Sequence, residues 1–360
     1  MSDMNNNIQN SLLEMPFLKN IGLLMTYKCQ VTCPHCIIEA GPHRKEEMSL
    51  DDAFRWIEQI SEYRNNYIKV LALTGGEPFY NLDSLKKISD FGGSKGLFVS
   101  VITNAFWASS KKEAISILKD LKSINMLSFS TDVYHLKSIP FERIKHAVTA
   151  AKECDVPFTI SVCTEDKNDI EYRNLISRLT EITKKDTIVT AITFRAGRAL
   201  KKLENLRFRM STEPPIAACS AGSSPIIFPD GRVLACIGPI IDLPFPHPLV
   251  LGNLREESLF EILDRAESNA ILHAIRVWGP RKLISILEEA GSSQFLPDKY
   301  IEDSICMCCY SLLANRKNVN FLNKLSEDFE FKRKVAYARV HYLNETRMAE
   351  LYQLEKIILR

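Results

Sequence analysis

The 360-residue chain has no long apolar run. Its first twenty residues, led by Asn5, Asn6 and Asn7, hold no apolar core of signal-peptide length, and no later stretch approaches a membrane span. The expectation is therefore a cytoplasmic protein with no membrane partner. Charge of one sign is also scarce: 46 Lys and Arg against 44 Asp and Glu leave a formal net charge of +2. Such a balance argues against nucleic acid or an acidic surface as partner. Low-complexity tracts are absent, and nothing repeats except a strand–helix unit. What the chain does hold is ten cysteines. Without an export signal these read as reduced thiols, whose use is metal binding or catalysis rather than disulfides.

Between about residues 20 and 206, six apolar β-rich runs alternate with segments of helical spacing. The strand candidates are 21–25, 68–73, 97–102, 126–130, 158–163 and 188–194. Helices are expected from Ser49, an N-cap residue with Asp51 and Asp52 in the first turn, and over 84–90, 111–124, 141–154 and 170–183. This alternation predicts an α/β fold with a parallel sheet and right-handed crossovers. Within the fourth strand Ser128, Ser130 and Asp132 share a side opposite Leu127 and Phe129, and within the fifth Thr159, Ser161 and Cys163 oppose Phe158, Ile160 and Val162. The polar side is expected to face a cavity at the C-terminal strand ends.

Cys29, Cys33 and Cys36 form a C-x3-C-x2-C triplet directly after the first strand. Thiolates are soft ligands suited to zinc or iron–sulfur clusters, and three rather than four leave one metal position open for chemistry. A zinc knuckle completed by His35 or His43 is the alternative. Leu71-Ala72-Leu73-Thr74-Gly75-Gly76-Glu77-Pro78 follows at the end of the next strand, and the two motifs in this order resemble the radical S-adenosylmethionine superfamily. The resemblance implies a partial (β/α)6 TIM-like barrel over 20–210, after an N-terminal arm of 1–19. It also implies a [4Fe–4S] cluster with an open iron site on Cys29, Cys33 and Cys36, to which S-adenosylmethionine binds before one electron cleaves it to a 5′-deoxyadenosyl radical. On the same basis Gly75 and Gly76 would admit the methionine end, Glu77 would accept from its amine, and Pro78 would fix the turn. His35 lies where the family contacts adenine, or is a solvent-exposed loop histidine. Asn104, Ser130 and Asp132 could bind ribose hydroxyls or the carboxylate, or cap strand ends. Arg195 and Arg198 could meet a carboxylate or lie on a solvated face.

Composition shifts at Glu213-Pro214-Pro215, a linker candidate. Beyond it, two short apolar runs around Pro229-Asp230-Gly231 read as a β-hairpin. Cys219 and Cys236 flank this hairpin, and Cys306-Met307-Cys308-Cys309 comes much later. The arrangement resembles the twitch form of the SPASM domain, over 211–316, which implies an auxiliary [4Fe–4S] cluster on Cys219, Cys236, Cys306 and Cys309, with Cys308 able to replace either of the last two or to stand free. Residues 318–360, in a C-terminal segment 317–360, read as charged amphipathic helix with Phe321, Leu322, Leu325 and Phe329 packing.

Ala105-Phe106-Trp107 and Asp132-Val133-Tyr134-His135 resemble segments of radical peptide epimerases. That likeness implies a peptide substrate touched by Tyr134 and His135, and a one-electron reductant such as ferredoxin or flavodoxin. No winged-helix peptide-recognition domain fits before Cys29, so a leader peptide would bind the barrel or a separate partner. Those epimerases carry a thiol right after the hairpin's cluster cysteine, where this chain has Ile237. Cys163 and Cys308 are then the candidate hydrogen donors. Radical dehydrogenation of an alcohol or amino sugar is the second reading, and a non-catalytic iron–sulfur redox protein the third.

Overall fold

The computed structural model describes residues 18, 20–203 and 206–348. The expected N-terminal arm, apart from Leu18, and residues 349–360 of the C-terminal segment lie outside them. Six parallel strands open the fold: β1 (Asn20–Leu24), β2 (Val70–Thr74), β3 (Phe98–Thr103), β4 (Ile124–Ser130), β5 (Phe158–Thr164) and β6 (Ile188–Ile192), paired each to the next. Helices α1 (Leu50–Glu62), α2 (Leu82–Ser94), α3 (Lys111–Asp120), α4 (Phe141–Glu153) and α5 (Ile170–Ile182) fill the crossovers. Ser49 caps α1 by accepting from the Asp52 amide at 3.1 Å, and Ala53, Trp56, Ile57 and Ile60 form its buried face. The expected helix 111–124 ends early. Leu121 is its C-cap and Ile124 already begins β4, because the apolar Ile124 serves the sheet rather than the helix face.

Alternation in β4 and β5 divides the molecule into two environments. Leu127, Phe129, Ile160 and Val162 are fully buried under the helices, whereas Ser128, Ser130, Ser161 and Cys163 are half-buried on the other side. Thr159 donates to Ser128 across that inner face at 3.2 Å. The polar residues thus pair within the lumen instead of meeting apolar helix faces.

Among the described residues the sheet does not close on itself. After the short α6 (Ala199–Lys202) and β7 (Met210–Ser211), the chain forms β8 (Ile226–Ile227), β9 (Arg232–Leu234) and β10 (Val250–Asn253). β8 pairs in parallel with β1, at Gly22–Ile226 and Leu23–Ile227, and β9 and β10 follow antiparallel. The hairpin around Pro229-Asp230-Gly231 therefore extends the barrel sheet, giving the order β10-β9-β8-β1-β2-β3-β4-β5-β6. The helices α7 (Leu259–Glu267), α8 (Ala270–Trp278) and α9 (Pro280–Glu289) come next, then β11 (Tyr300–Ile301), α10 (Ile305–Leu313), α11 (Arg316–Glu327) and α12 (Phe329–Leu343). Arg255 joins the two halves with a bidentate pair to Asp52, at 2.8 and 2.6 Å. The single C-terminal helix expected from sequence is two helices, broken where Asp328 caps the second by accepting from Phe331. Leu322 is buried, but Phe329, 63% exposed, is not the packing residue expected, because it opens α12 on the solvent side.

Candidate active site

The loop after β1 turns sharply, and the two glycines after β2 let it do so. A Cβ on Gly76 would sit 2.1 Å from the Lys28 carbonyl oxygen, and one on Gly75 would sit 2.6 Å from that of Thr26. The Gly76 and Glu77 amides donate to those same carbonyls, at 2.6 and 2.9 Å. Both positions require glycine for a backbone-to-backbone approach.

Held this way, Cys29, Cys33 and Cys36 line a cavity of about 250 Å³ together with Gly75, Gly76, Asn104, Ser130, Asp132, His135, Ser161 and Cys163. The cavity lies at the C-terminal ends of the strands, with Val31, Ile37, Ile102, Phe194 and Ile237 as its apolar wall. Burial pushes the Cys29 thiol up to about 12, so forming a thiolate there calls for a cation. Nitrogen donors already face two of the sulfurs: Asn104 Nδ2 lies 3.6 Å from Cys29 Sγ, and the Ala40 amide 3.3 Å from Cys36 Sγ.

Glu77 is not on the cavity wall. Its side chain is fully buried and accepts from Thr103 Oγ1 (2.7 Å), Phe79 N (3.1 Å) and Asn104 N (2.8 Å). Burial pushes its carboxyl up to about 7 against those three donors. The expected contact with a ligand amine is thus corrected: Glu77 caps the turn at Pro78–Tyr80 and braces β3. Pro78 is buried in that turn and also leaves the cavity unlined. Thr103 accepts in turn from Trp107 Nε1 at 3.1 Å, and Trp107 stacks on Phe79 at 4.4 Å. The Ala105-Phe106-Trp107 segment is therefore the far wall of this brace.

His35 is no exposed loop residue. Its ring stacks on Tyr134 at 4.8 Å, and Nε2 lies 3.2 Å from Asp132 Oδ2, with His135 Nδ1 at 2.9 Å from the same oxygen. Asp132 Oδ1 accepts from the Tyr134 and His135 amides. Its oxygens are thus taken up by protein groups, so the carboxylate holds two histidines rather than presenting itself to ribose. Burial alone would raise Asp132, but the imidazoles, His135 foremost, outweigh it and hold it below the ordinary range. Burial would lower His135, yet the same carboxylate holds it well above its usual value. Tyr134 is buried and donates to Glu165. His43 is exposed and off the cavity wall.

Sequence reasoning missed Gln30 and the purpose of Arg198. Gln30 Nε2 donates to Asn104 Oδ1 at 2.9 Å. Arg198 clamps the cysteine loop, donating to the Cys33 carbonyl at 2.7 Å and to that of Ala40, while its amide reaches the Cys36 carbonyl. Arg195 is exposed. Position 197 must be glycine here: φ is +57° and a Cβ would stand 2.5 Å from the Ile37 oxygen. Position 30 falls inside the triplet, which was a signal; Arg198 lies too far along the chain to give one.

Cys219, Cys236, Cys306 and Cys309 line a second cavity of about 200 Å³, and Phe194 and Ile237 border both cavities. Neighbouring thiols add to burial in raising Cys236, which reaches about 12. Cys308 lines neither cavity: it faces the core from α10, 1% exposed, which removes it as a hydrogen donor and from the ligand alternatives. Cys154 is the C-cap of α4, away from both.

Residues 23–179 match the family described as the Radical SAM superfamily, and the chain carries a radical SAM domain. Over 316 residues, 86% of this chain and 97% of the relative, it is 24% identical to the putative peptide biosynthesis protein YydG of Bacillus subtilis (strain 168). A stretch of 119 residues, 33% of this chain and 25% of the relative, is 25% identical to the antilisterial bacteriocin subtilosin biosynthesis protein AlbA of the same organism. Among solved structures, BtrN in complex with AdoMet and 2-DOIA matches with a TM-score of 0.42 and 14% identity, covering 75% of this chain and 91% of that one. The domain implies a [4Fe–4S] cluster and S-adenosylmethionine. Three thiols on one cavity wall, Cys29 and Cys33 buried and Cys36 half-buried, with nitrogen donors facing two of them, suit the cluster.

Proposed function

We propose that this protein abstracts hydrogen from a ribosomally made peptide and leaves it epimerised or otherwise modified at a backbone or side-chain carbon. The observation that carries the reading is the meeting of the three thiols and Cys163 in one cavity; the likeness to YydG along nearly its whole length supports the peptide as substrate class. Cys29, Cys33 and Cys36 would hold the first cluster, which with S-adenosylmethionine supplies the hydrogen-abstracting radical. Gly75, Gly76 and Ser130 would line the cofactor's berth, and His35, kept in place by Asp132 and Tyr134, would offer a ring face to adenine. His135 and Tyr134 would border the peptide. Cys219, Cys236, Cys306 and Cys309 would hold an auxiliary [4Fe–4S] cluster in a twitch-like extension. A ferredoxin or flavodoxin would be the electron donor, in the cytoplasm.

Cys163 is the proposed hydrogen donor. Burial pushes its thiol up to about 12, so it keeps its hydrogen at neutral pH, as donation of a hydrogen atom demands. In that step the S–H bond breaks, a C–H bond forms at the substrate radical, and one electron with one proton from the reductant and solvent restores the thiol. Turnover in D2O should place deuterium on the product carbon. Cys163→Ala should still cleave S-adenosylmethionine but lose the labelled product. Undiminished label in that variant removes Cys163 as donor, and absence of solvent deuterium in wild-type product points to cross-linking or dehydrogenation instead.

A further inference from the structure

We propose that Asn104 raises the reduction potential of the cluster on Cys29, Cys33 and Cys36 by holding an N–H against the Cys29 sulfur, with Gln30 as the residue that positions it. The inference rests on those thiols holding a cluster.

The orientation of the Asn104 amide is fixed by its neighbours. Its Oδ1 accepts from the Phe106 backbone amide at 3.0 Å, a donor that cannot be exchanged for an acceptor, and this forces Nδ2 to the opposite side, 3.6 Å from Cys29 Sγ. Gln30 Nε2 gives the same Oδ1 a second donor at 2.9 Å. Were the Asn104 amide reversed, both donors would face its NH2 group. A turn at this point would need only the oxygen, and a serine or aspartate could supply it. The N–H toward sulfur is what asparagine adds.

The site is dry enough for one such bond to matter: Asn104 is 5% exposed and Cys29 likewise. The Cys29 sulfur lies 3.8 Å from Gln30 Oε1 and 3.6 Å from Asn104 Nδ2; for a thiolate sulfur the Asn104 N–H is the favourable partner. Reduction places one more negative charge on the cluster and its sulfurs, so a fixed donor stabilises the reduced state more than the oxidised one, and the potential rises. The Ala40 donor to Cys36 is backbone and persists in any variant. The Asn104 donor is the one a substitution can remove.

The test is EPR-monitored redox titration of the reconstituted protein, following the signal that changes when S-adenosylmethionine is added. Asn104→Ser keeps an oxygen for the Phe106 amide and removes the N–H. It should lower the ratio of reduced to oxidised cluster at a fixed poise by about tenfold, or about 59 mV for a one-electron couple. Gln30→Leu should shift the potential in the same direction by less, because it loosens the amide without removing it. A loaded Asn104→Ser protein with wild-type potential overturns the proposal. If that variant loads no iron, Gln30→Leu decides: a wild-type potential there overturns it, a negative shift supports it. Iron content separates this from failure of the underlying reading. If Cys29→Ala/Cys33→Ala/Cys36→Ala binds as much iron as wild type, those thiols hold no cluster and the proposal falls with it.

Discussion

Loss of the Glu345 carboxylate should cost this protein more stability than loss of any surface ion pair. Glu345 follows α12, where Asn344, at φ 55° and ψ 32°, turns the chain back upon the helix. Its carboxylate accepts from Arg276 Nη2 at 2.6 Å, Arg276 Nη1 at 3.3 Å and Arg339 Nε at 2.6 Å. Arg339 also donates to the Glu267 carbonyl at 2.8 Å and to its carboxylate. All four residues are at most 6% exposed. Glu345→Ala would remove a buried negative charge from between two guanidinium groups and take this acceptor from three of their N–H groups. Breaking a buried pair by removing one partner costs about 3–5 kcal/mol, whereas an exposed pair contributes roughly 0–1 kcal/mol. Anaerobic guanidinium unfolding should place Glu345→Ala in the first range, with the paired replacement Arg276→Met/Glu345→Leu recovering part of the loss. A single variant within about 1 kcal/mol of wild type would refute the claim that these charges depend on one another.

The same cluster predicts a pH dependence. His273 Nδ1 faces Arg276 Nη1 at 2.9 Å and Nε2 faces the Ala266 carbonyl at 3.0 Å, which requires the neutral Nε2–H tautomer. Burial, then Arg339 and Arg276, lower its pKa well below 6.5, so only the unfolded chain takes up the proton as pH first drops below that value. Stability should therefore be full above about pH 6.5 and fall below it, and His273→Gln should flatten that slope in unfolding titrations from pH 7 to 5. Gly76→Ala should fail to retain iron on the first triplet, because its Cβ would stand 2.1 Å from the Lys28 oxygen that helps shape the loop; iron content equal to wild type would show that the loop can yield there.

The local patterns foretold elements well. Period-two alternation identified β4 and β5 together with their inward faces, because a strand's two sides are fixed by backbone geometry alone. Ser49 announced the start of α1 and the triplet announced a loop that brings three thiols to one cavity wall, since caps and short cysteine spacings are short-range facts. Residues whose partners lie far along the chain gave no such sign. Arg198 reads as a carboxylate contact or a surface charge until the segment after β6 brings it against the Cys33 and Ala40 carbonyls. Glu77 and Asp132 were legible as polar residues at strand ends, but whether a buried carboxylate faces a ligand or its own protein depends on which donors surround it. Thr103 and Asn104 close around the first, His35 and His135 around the second. Cys308 differs from Cys306 and Cys309 only in the face of α10 it occupies, which sequence spacing leaves open and packing decides. The sequence by itself determined that six strand–helix units would carry three thiols on a tight loop. The docking of β8 on β1 and the buried charges beneath α12 were decided by tertiary structure, because pairing and desolvation are properties of surfaces that meet only once the chain is folded.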